Sequence, residues 1–445
     1  MISDTIAAIS TPPGRGGVAI VRMSGAGALA AAERMFSPAG KVPVSAFEPY
    51  RMYPGSIGCG TFSDFGLCVY FRAPHSFTGE DVVELHCHGG AGIARAVLRR
   101  ALESGCRLAE AGEFTRRAFL NGKLSLSSAE GLADMINGTS EAEVRAGSLL
   151  YAEKLNEAVA GVQAELKNLL AEIDADIDFP EEDIERTELS DARARIGAAA
   201  ERLSALAASY RTGKKVKEGV SVVLAGKPNT GKSSLLNALL GSDRAIVSSV
   251  AGTTRDVVEG SLEIEGVRFD LYDTAGIRDA ADEVESLGVG RAKRLIEGAD
   301  LVLFVADSSA PFSEEDRRIY ASLPGRRLVV YNKADLADAG ECDPPADIRV
   351  SAVTGENIPA LRARMFELCM DGYVADGFLI EERHYAAVTR ALEQLREAQA
   401  VCGSVPPDLL GVHLRAAWEA LGEVSGETAN ERIIDEIFSK FCVGK

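Results

Sequence analysis

One stretch constrains this chain more than any other: Gly226-Lys227-Pro228-Asn229-Thr230-Gly231-Lys232-Ser233 fits the pattern G-x-x-x-x-G-K-[ST]. A compact apolar run, Val220 to Ala225, leads into it, and a helical run, Ser234 to Leu240, follows. Strand, glycine loop and helix in that order are the context in which the pattern binds phosphate. Glycines let backbone N–H groups converge on phosphate oxygens. Lys232 then neutralises the β and γ phosphates, and the Ser233 hydroxyl ligates magnesium.

Further segments turn a phosphate binder into a guanine switch. Asp273-Thr274-Ala275-Gly276 ends an expected strand, Val267 to Tyr272, where a carboxylate reaches magnesium through water and a glycine amide senses the γ-phosphate. Asn332-Lys333-Ala334-Asp335 ends another, Leu328 to Tyr331. Asp335 can accept from the N1 and N2 hydrogens of guanine, which adenine does not offer, so GTP is favoured over ATP. Ser351-Ala352-Val353 follows a short strand, as the base-backing loop of GTPases does. Gly252-Thr253-Thr254-Arg255-Asp256 lies where a mobile loop supplies a magnesium ligand, with Thr254 the choice. Ile277 stands where Ras-like enzymes carry a water-orienting glutamine, and an aliphatic chain cannot orient water. Asp279, Asp282, Glu283 and Glu285 are the nearby acids, and spacing does not choose among them.

The chain's 445 residues imply two or three domains. No run approaches the roughly 20 apolar residues of a membrane span, and Met1 to Ser10 lack a secretion pattern, so the cytoplasm is expected. Eight cysteines without a Cys-x-x-Cys pair argue for reduced thiols rather than disulfides or a zinc ribbon. A net charge of -18 opposes a stand-alone RNA binder, so any RNA contact needs a local patch.

Residues 1–118, glycine-rich with short apolar runs, read as a small mixed α/β domain. Helical texture occupies 119–215 and returns over 374–445, with Asp178-Phe179-Pro180 breaking two helices and a basic, polar stretch at Arg211 to Glu218. Between them, 216–373 alternates strand and helix signals, the mark of a largely parallel sheet. The fold class is therefore α/β plus all-α, with a Ras-like P-loop domain inserted into a helical domain.

Motifs outside the nucleotide segment make a resemblance specific. Thr11-Pro12-Pro13-Gly14-Arg15-Gly16-Gly17, Ser76-Phe77-Thr78-Gly79-Glu80-Asp81, Gly112-Glu113-Phe114-Thr115-Arg116-Arg117-Ala118-Phe119-Leu120-Asn121 and Phe441-Cys442-Val443-Gly444-Lys445 resemble the MnmE (TrmE) family over essentially the whole chain. Val443 in place of a more usual isoleucine, and Cys87 in place of glycine, are small departures.

The resemblance implies a potassium-dependent GTPase acting on position 5 of the wobble uridine of certain tRNAs. It implies a tetrahydrofolate-binding, dimerising N-terminal domain and an FAD-dependent partner of the MnmG type, together a heterotetramer. Glu285 is implied as the catalytic carboxylate. Asn229, Ser248, Val250 and Thr253 are implied as potassium ligands, and Arg22, Glu84, Lys123 and Lys445 as folate contacts, for a 5-formyl or 5,10-methylene derivative. The implied nucleotide contacts also take in Thr230, Gly231, Ser234, Ser249, Ala251, Gly252, Thr274, Ala275, Gly276, Lys333 and Ala352.

His86-Cys87-His88 puts two histidines on one face of a strand, but no third metal ligand is evident, and a structural role beside Gly89-Gly90 is expected. Cys442 is a possible redox or nucleophilic thiol, against a buried apolar role. The rival reading is a regulatory GTPase of the ribosome-assembly type without small-molecule chemistry, which folate binding distinguishes.

Overall fold

Apolar residues alternating at period two build the first of two sheets. The computed structural model describes residues 4–178, 189–241, 258, 260–273, 293–336, 343–373, 379–428 and 430–445. Their contacts separate two compact units: Met1–Ala133, Leu150–Ile196 and Glu393–Lys445 form one, Asp134–Leu149 and Gly197–Leu392 the other.

The first unit holds β1 (Ile6–Ile9), β2 (Val18–Ser24), β3 (Phe36–Pro38), β4 (Met52–Gly58), β5 (Ser63–Phe71), β6 (Val82–His88) and β7 (Arg107–Leu108), in the spatial order β3-β4-β5-β6-β2-β1-β7. All neighbours are antiparallel except β1 and β7. Val21, Met23, Cys68, Tyr70, Val83, Leu85 and Cys87 face a core shared with helices α1 (Ala28–Glu33) and α2 (Ala91–Glu103). Period two then sends Arg22, Glu84 and His86 to the opposite face.

The same unit contains α3 (Glu113–Leu120), most of α4 (Leu126–Asn137), α6 (Lys154–Asp178), α12 (Pro407–Ser425) and α13 (Glu431–Ser439), in this article's numbering. Phe119 of α3 meets Phe438 of α13 at 6.0 Å between ring centroids, in a cluster with Leu126, Ala129 and Phe441. Beyond α13 the tail crosses to β1: Val443 bridges Ala111, and Gly444, at φ +106°, lies so close that a Cβ would sit 2.2 Å from the Ile9 carbonyl. Only glycine fits such an approach.

In the second unit β8 (Val220–Ala225), β9 (Gly260–Ile264), β10 (Val267–Asp273), β11 (Leu301–Asp307), β12 (Arg327–Asn332) and β13 (Ile348–Arg349) pair in the order β13-β12-β11-β8-β10-β9, parallel except for the β9–β10 hairpin. Every residue from Leu301 to Ala306 is buried, as a strand covered on both faces requires. Helices α8 (Lys232–Leu240), α9 (Glu314–Ser322) and α10 (Ile358–Cys369) alternate with these strands. A Ser313/Asp316 capping box starts α9.

The opening of α5 (Glu141–Tyr151), the later part of α7 (Leu189–Glu218) and the opening of α11 (Glu382–Val401) also belong to the second unit. The basic, polar stretch at Arg211 to Glu218 is the last two turns of α7. Cations suit the carbonyl end of a helix. Here they are also satisfied by partners distant in sequence: Lys215 Nζ donates to the Cys369 carbonyl at 2.7 Å. Gly213 lets α7 pass the Leu379 carbonyl, where a Cβ would sit at 2.4 Å.

Candidate functional site

The phosphate loop is shaped by two glycines that nothing else could replace. Gly226, at φ +146°, lies where a Cβ would meet the Val305 carbonyl at 2.3 Å, and Gly231, at φ +87°, where it would meet Asn332 Nδ2 at 2.3 Å. The loop leaves the C-terminal end of β8 and feeds α8, so its backbone amides gather at a helix N-terminus, the arrangement that holds phosphate. Lys232 opens α8 and is almost fully buried, donating Nζ to the carbonyls of Gly226 at 3.0 Å and Lys227 at 2.8 Å. The ammonium thus lies curled inside the loop that would receive the phosphates. Thr230 is fully buried and donates to the Lys227 carbonyl at 3.1 Å.

Ser233 Oγ donates to Asp273 Oδ2 at 2.9 Å, which joins the first turn of α8 to the end of β10. A hydroxyl and a carboxylate at that separation are the oxygen pair a hard divalent cation takes. Asn332 stitches three segments together. Its Nδ2 donates to the Thr230 carbonyl at 3.1 Å, and its Oδ1 accepts from the Ala352 amide at 3.1 Å. Ser351 Oγ donates to Asp335 Oδ1 at 2.5 Å, fixing the carboxylate expected to read guanine. Lys333, at φ +67°, donates to the Asn229 carbonyl at 2.8 Å and to Asp307 Oδ2 at 2.6 Å.

The structure therefore brings Asn229, Thr230, Gly231, Lys232, Ser233, Asp273, Asn332, Lys333, Asp335, Ser351 and Ala352 into one loop cluster at the ends of β8, β10 and β12. Ser234 is exposed in the first turn of α8. Ser248, Ser249, Val250, Ala251, Gly252, Thr253, Thr254, Thr274, Ala275, Gly276 and Glu285 lie outside the described residues. Sequence reading missed Asp307, the anchor of Lys333. Burial pushes its carboxyl up, but donors from Lys333 and Ser309 outweigh that and hold it below the ordinary value. An acid closing the apolar run of β11 was the available signal. Lys227 was missed likewise: its Nζ reaches Asp316 Oδ2 at 2.7 Å, bracing the loop against α9.

A second cluster sits on the outward face of the first sheet. Register pairs Arg22 directly with Glu84, and Arg22 Nε donates to Glu84 Oε1 at 2.9 Å. His86 Nε2 lies 3.2 Å from Glu84 Oε2. Burial raises the Glu84 carboxyl, but His86 and Arg22 together pull it below its usual value, so it stays a ready acceptor. The Arg22 guanidinium stands 5.7 Å from the half-buried Phe77 ring and 5.8 Å from that of Phe114, which is fully buried beneath it. Lys123 donates Nζ to the Pro74 carbonyl at 3.2 Å and packs by Gly79, in the segment that carries Phe77. Lys445 is delivered by the tail that runs past Ile9.

His88 pairs with Asp64 at 2.6 Å, apart from His86, and no group of three metal-ligating side chains occurs among the described residues. Cys87 is buried, and burial pushes its thiol up to about 11. Cys442 is the exposed thiol among the described residues. No helix among them is long and apolar enough to cross a membrane.

Comparison with known proteins adds the following. Residues 5–123 match the family model described as "GTP-binding protein TrmE N-terminus", and 126–442 that described as "MnmE helical domain". A protein of Symbiobacterium thermophilum named "tRNA modification GTPase MnmE" is 43% identical over all of both chains. One of the same name from Dechloromonas aromatica is 41% identical, again over all of both. Among solved structures, that of Aquifex aeolicus Era bound to GDP.AlF4- is 29% identical, covering 39% of this chain and 66% of its own, at a TM-score of 0.27.

Proposed function

The chain belongs to the MnmE (TrmE) family of tRNA modification GTPases, and on that premise we propose a homodimeric, potassium-stimulated GTPase whose nucleotide cycle drives modification at position 5 of the wobble uridine. The observation that carries it is the junction of Ser233, Asp273 and Lys232, a magnesium and phosphate site linked through Asn332 to the loop holding Asp335.

In this reading residues 216–373 form the inserted nucleotide domain, 1–118 the folate-binding and dimerisation domain, and 119–215 with 374–445 the helical domain. GTP binding turns Lys232 from its own loop carbonyls toward the β and γ phosphates. Ser233 and Thr254 would hold magnesium. It would neutralise charge developing on the phosphoryl oxygens. Potassium at Asn229, Ser248, Val250 and Thr253 would add positive charge where other GTPases place an arginine finger. Glu285 orients the attacking water.

In the first domain Glu84 accepts from the amino edge of a pterin, Arg22 contacts the ring, and Lys123 and Lys445 hold the glutamate tail of a 5-formyl or 5,10-methylene tetrahydrofolate. An FAD-dependent partner of the MnmG type completes the heterotetramer that acts on tRNA in the cytoplasm. Cys442, exposed beside Lys445, is offered as a thiol for that chemistry.

Glu285→Ala tests the hydrolytic step. Potassium-stimulated turnover should fall by about two to three powers of ten while GTP affinity holds, as removal of one transition-state contact predicts. Undiminished turnover would remove Glu285 from the mechanism.

A further inference from the structure

Asp273, which takes the Ser233 hydroxyl, is the last residue of β10, and the first residues of that strand are held from elsewhere in the same unit. Arg268 donates Nη2 to the Glu218 carbonyl, the last of α7, at 2.6 Å, and Nη1 to Thr139 Oγ1. Just before the strand, the Gly266 carbonyl accepts from the Ala142 amide in the first turn of α5, at 2.9 Å. Val267, Phe269 and Leu271 are fully buried, so β10 is a packed rod rather than a flexible tether. At a rise of about 3.4 Å per residue it carries about 17 Å from Arg268 to the metal-binding end.

The α7 terminus that Arg268 grips is pinned one residue earlier. Lys217 Nζ lies 2.8 Å from Asp134 Oδ1 of α4 and also bonds Glu381 at the entry to α11. Between the two cations the chain turns at Gly219, φ +84°, where a Cβ would meet the Arg268 guanidinium at 2.8 Å. Tyr210 of α7 stacks on Tyr385 of α11 at 4.3 Å, so the helix cannot easily slip along its neighbour.

We propose that Arg268 and Lys217 are positioning residues that fasten the far end of β10 to the helical segments 134–149 and 197–218, so that a displacement of Asp273 during the nucleotide cycle is passed to those segments. The inference rests on the nucleotide-driven switching proposed above.

The test is hydrogen–deuterium exchange on the full-length protein in potassium buffer, with GDP and with GDP plus aluminium fluoride. The wild-type chain should show a difference between the two states across residues 134–149. In Arg268→Met and Lys217→Met that difference should shrink by about 3- to 30-fold while GTP hydrolysis stays within about twofold, and Arg268→Lys and Lys217→Arg should restore part of it. An undiminished difference in both Met variants overturns the inference alone. A wild-type protein that hydrolyses GTP yet shows no difference overturns the switching reading with it. Should a Met variant fail to fold, Thr139→Val and Asp134→Asn remove one partner each and face the same criterion.

Discussion

At the scale of single residues, the guanine specificity proposed above rests on Asp335, whose position is fixed by the 2.5 Å bond from Ser351. On that proposal the carboxylate would accept two hydrogens from guanine, while an amide in its place would face like groups. Asp335→Asn should therefore weaken GTP binding by about 10- to 100-fold, the value of a charged hydrogen bond or two, and strengthen binding of xanthosine triphosphate, whose ring edge offers an oxygen instead. Titration with a fluorescent analogue of each nucleotide measures the exchange of preference, and equal affinities before and after would exclude the contact. The gathering of Lys232, Ser233 and Asp335 in one loop cluster was legible in the sequence because motif spacing places them. Asp307 and Lys227 were not, since what fixes them is Lys333 and Asp316, distant in the sequence.

Among the elements, α7 shows where local reading fails. The basic, polar texture of its last turns does not reveal that Cys369, Asp134 and Glu381 satisfy the lysines, or that Leu379 occupies the space a side chain at Gly213 would need. Three strands of the second sheet, β8, β10 and β12, were by contrast placed to within a residue, because short strand runs that lead into the nucleotide motifs have few alternatives. The junction of α4, α7 and α11 also carries a pH signature. Burial pushes the Asp134 carboxyl up to about 7 against the pull of Lys217, and Glu381 beside the same ammonium adds to the rise. A folded value above the ordinary 3.8 means the protonated form favours the fold: that contribution is complete below 3.8 and is lost as pH rises through about 7. Lys217 is lowered by burial but raised further by its two carboxylates, so its own contribution holds across this window. The unfolding free energy from denaturant titrations followed by circular dichroism should fall for the wild type, from about pH 5.5 to about pH 8, by an amount on the order of 1 kcal/mol or more. Asp134→Asn should flatten that slope, and an unchanged slope would locate the titration elsewhere.

For the whole molecule, the alternation of fold classes was readable from texture, whereas the division into compact units was not, because helices 134–149 and 197–218 pack by contacts that composition does not reveal. The tail is the other long-range feature that only the fold exposes. Glu84→Ala, by removing the carboxylate between Arg22 and His86, and Lys445→Ala, by removing the cation the tail delivers, should each weaken 5-formyltetrahydrofolate binding by about tenfold or more in calorimetry, without altering GTP turnover. Full heat in both variants would reject the folate site.

The seam where Gly444 slides past Ile9 also bears on how such a chain is made. A ribosome releases β1 and its edge neighbour β7 early, and the tail that bridges Ala111 just past β7 only after several hundred further residues, so the border at β7 waits for that tail to be made. Chaperones that shield exposed strand borders would matter most during that interval, and a slow codon late in the message would prolong it.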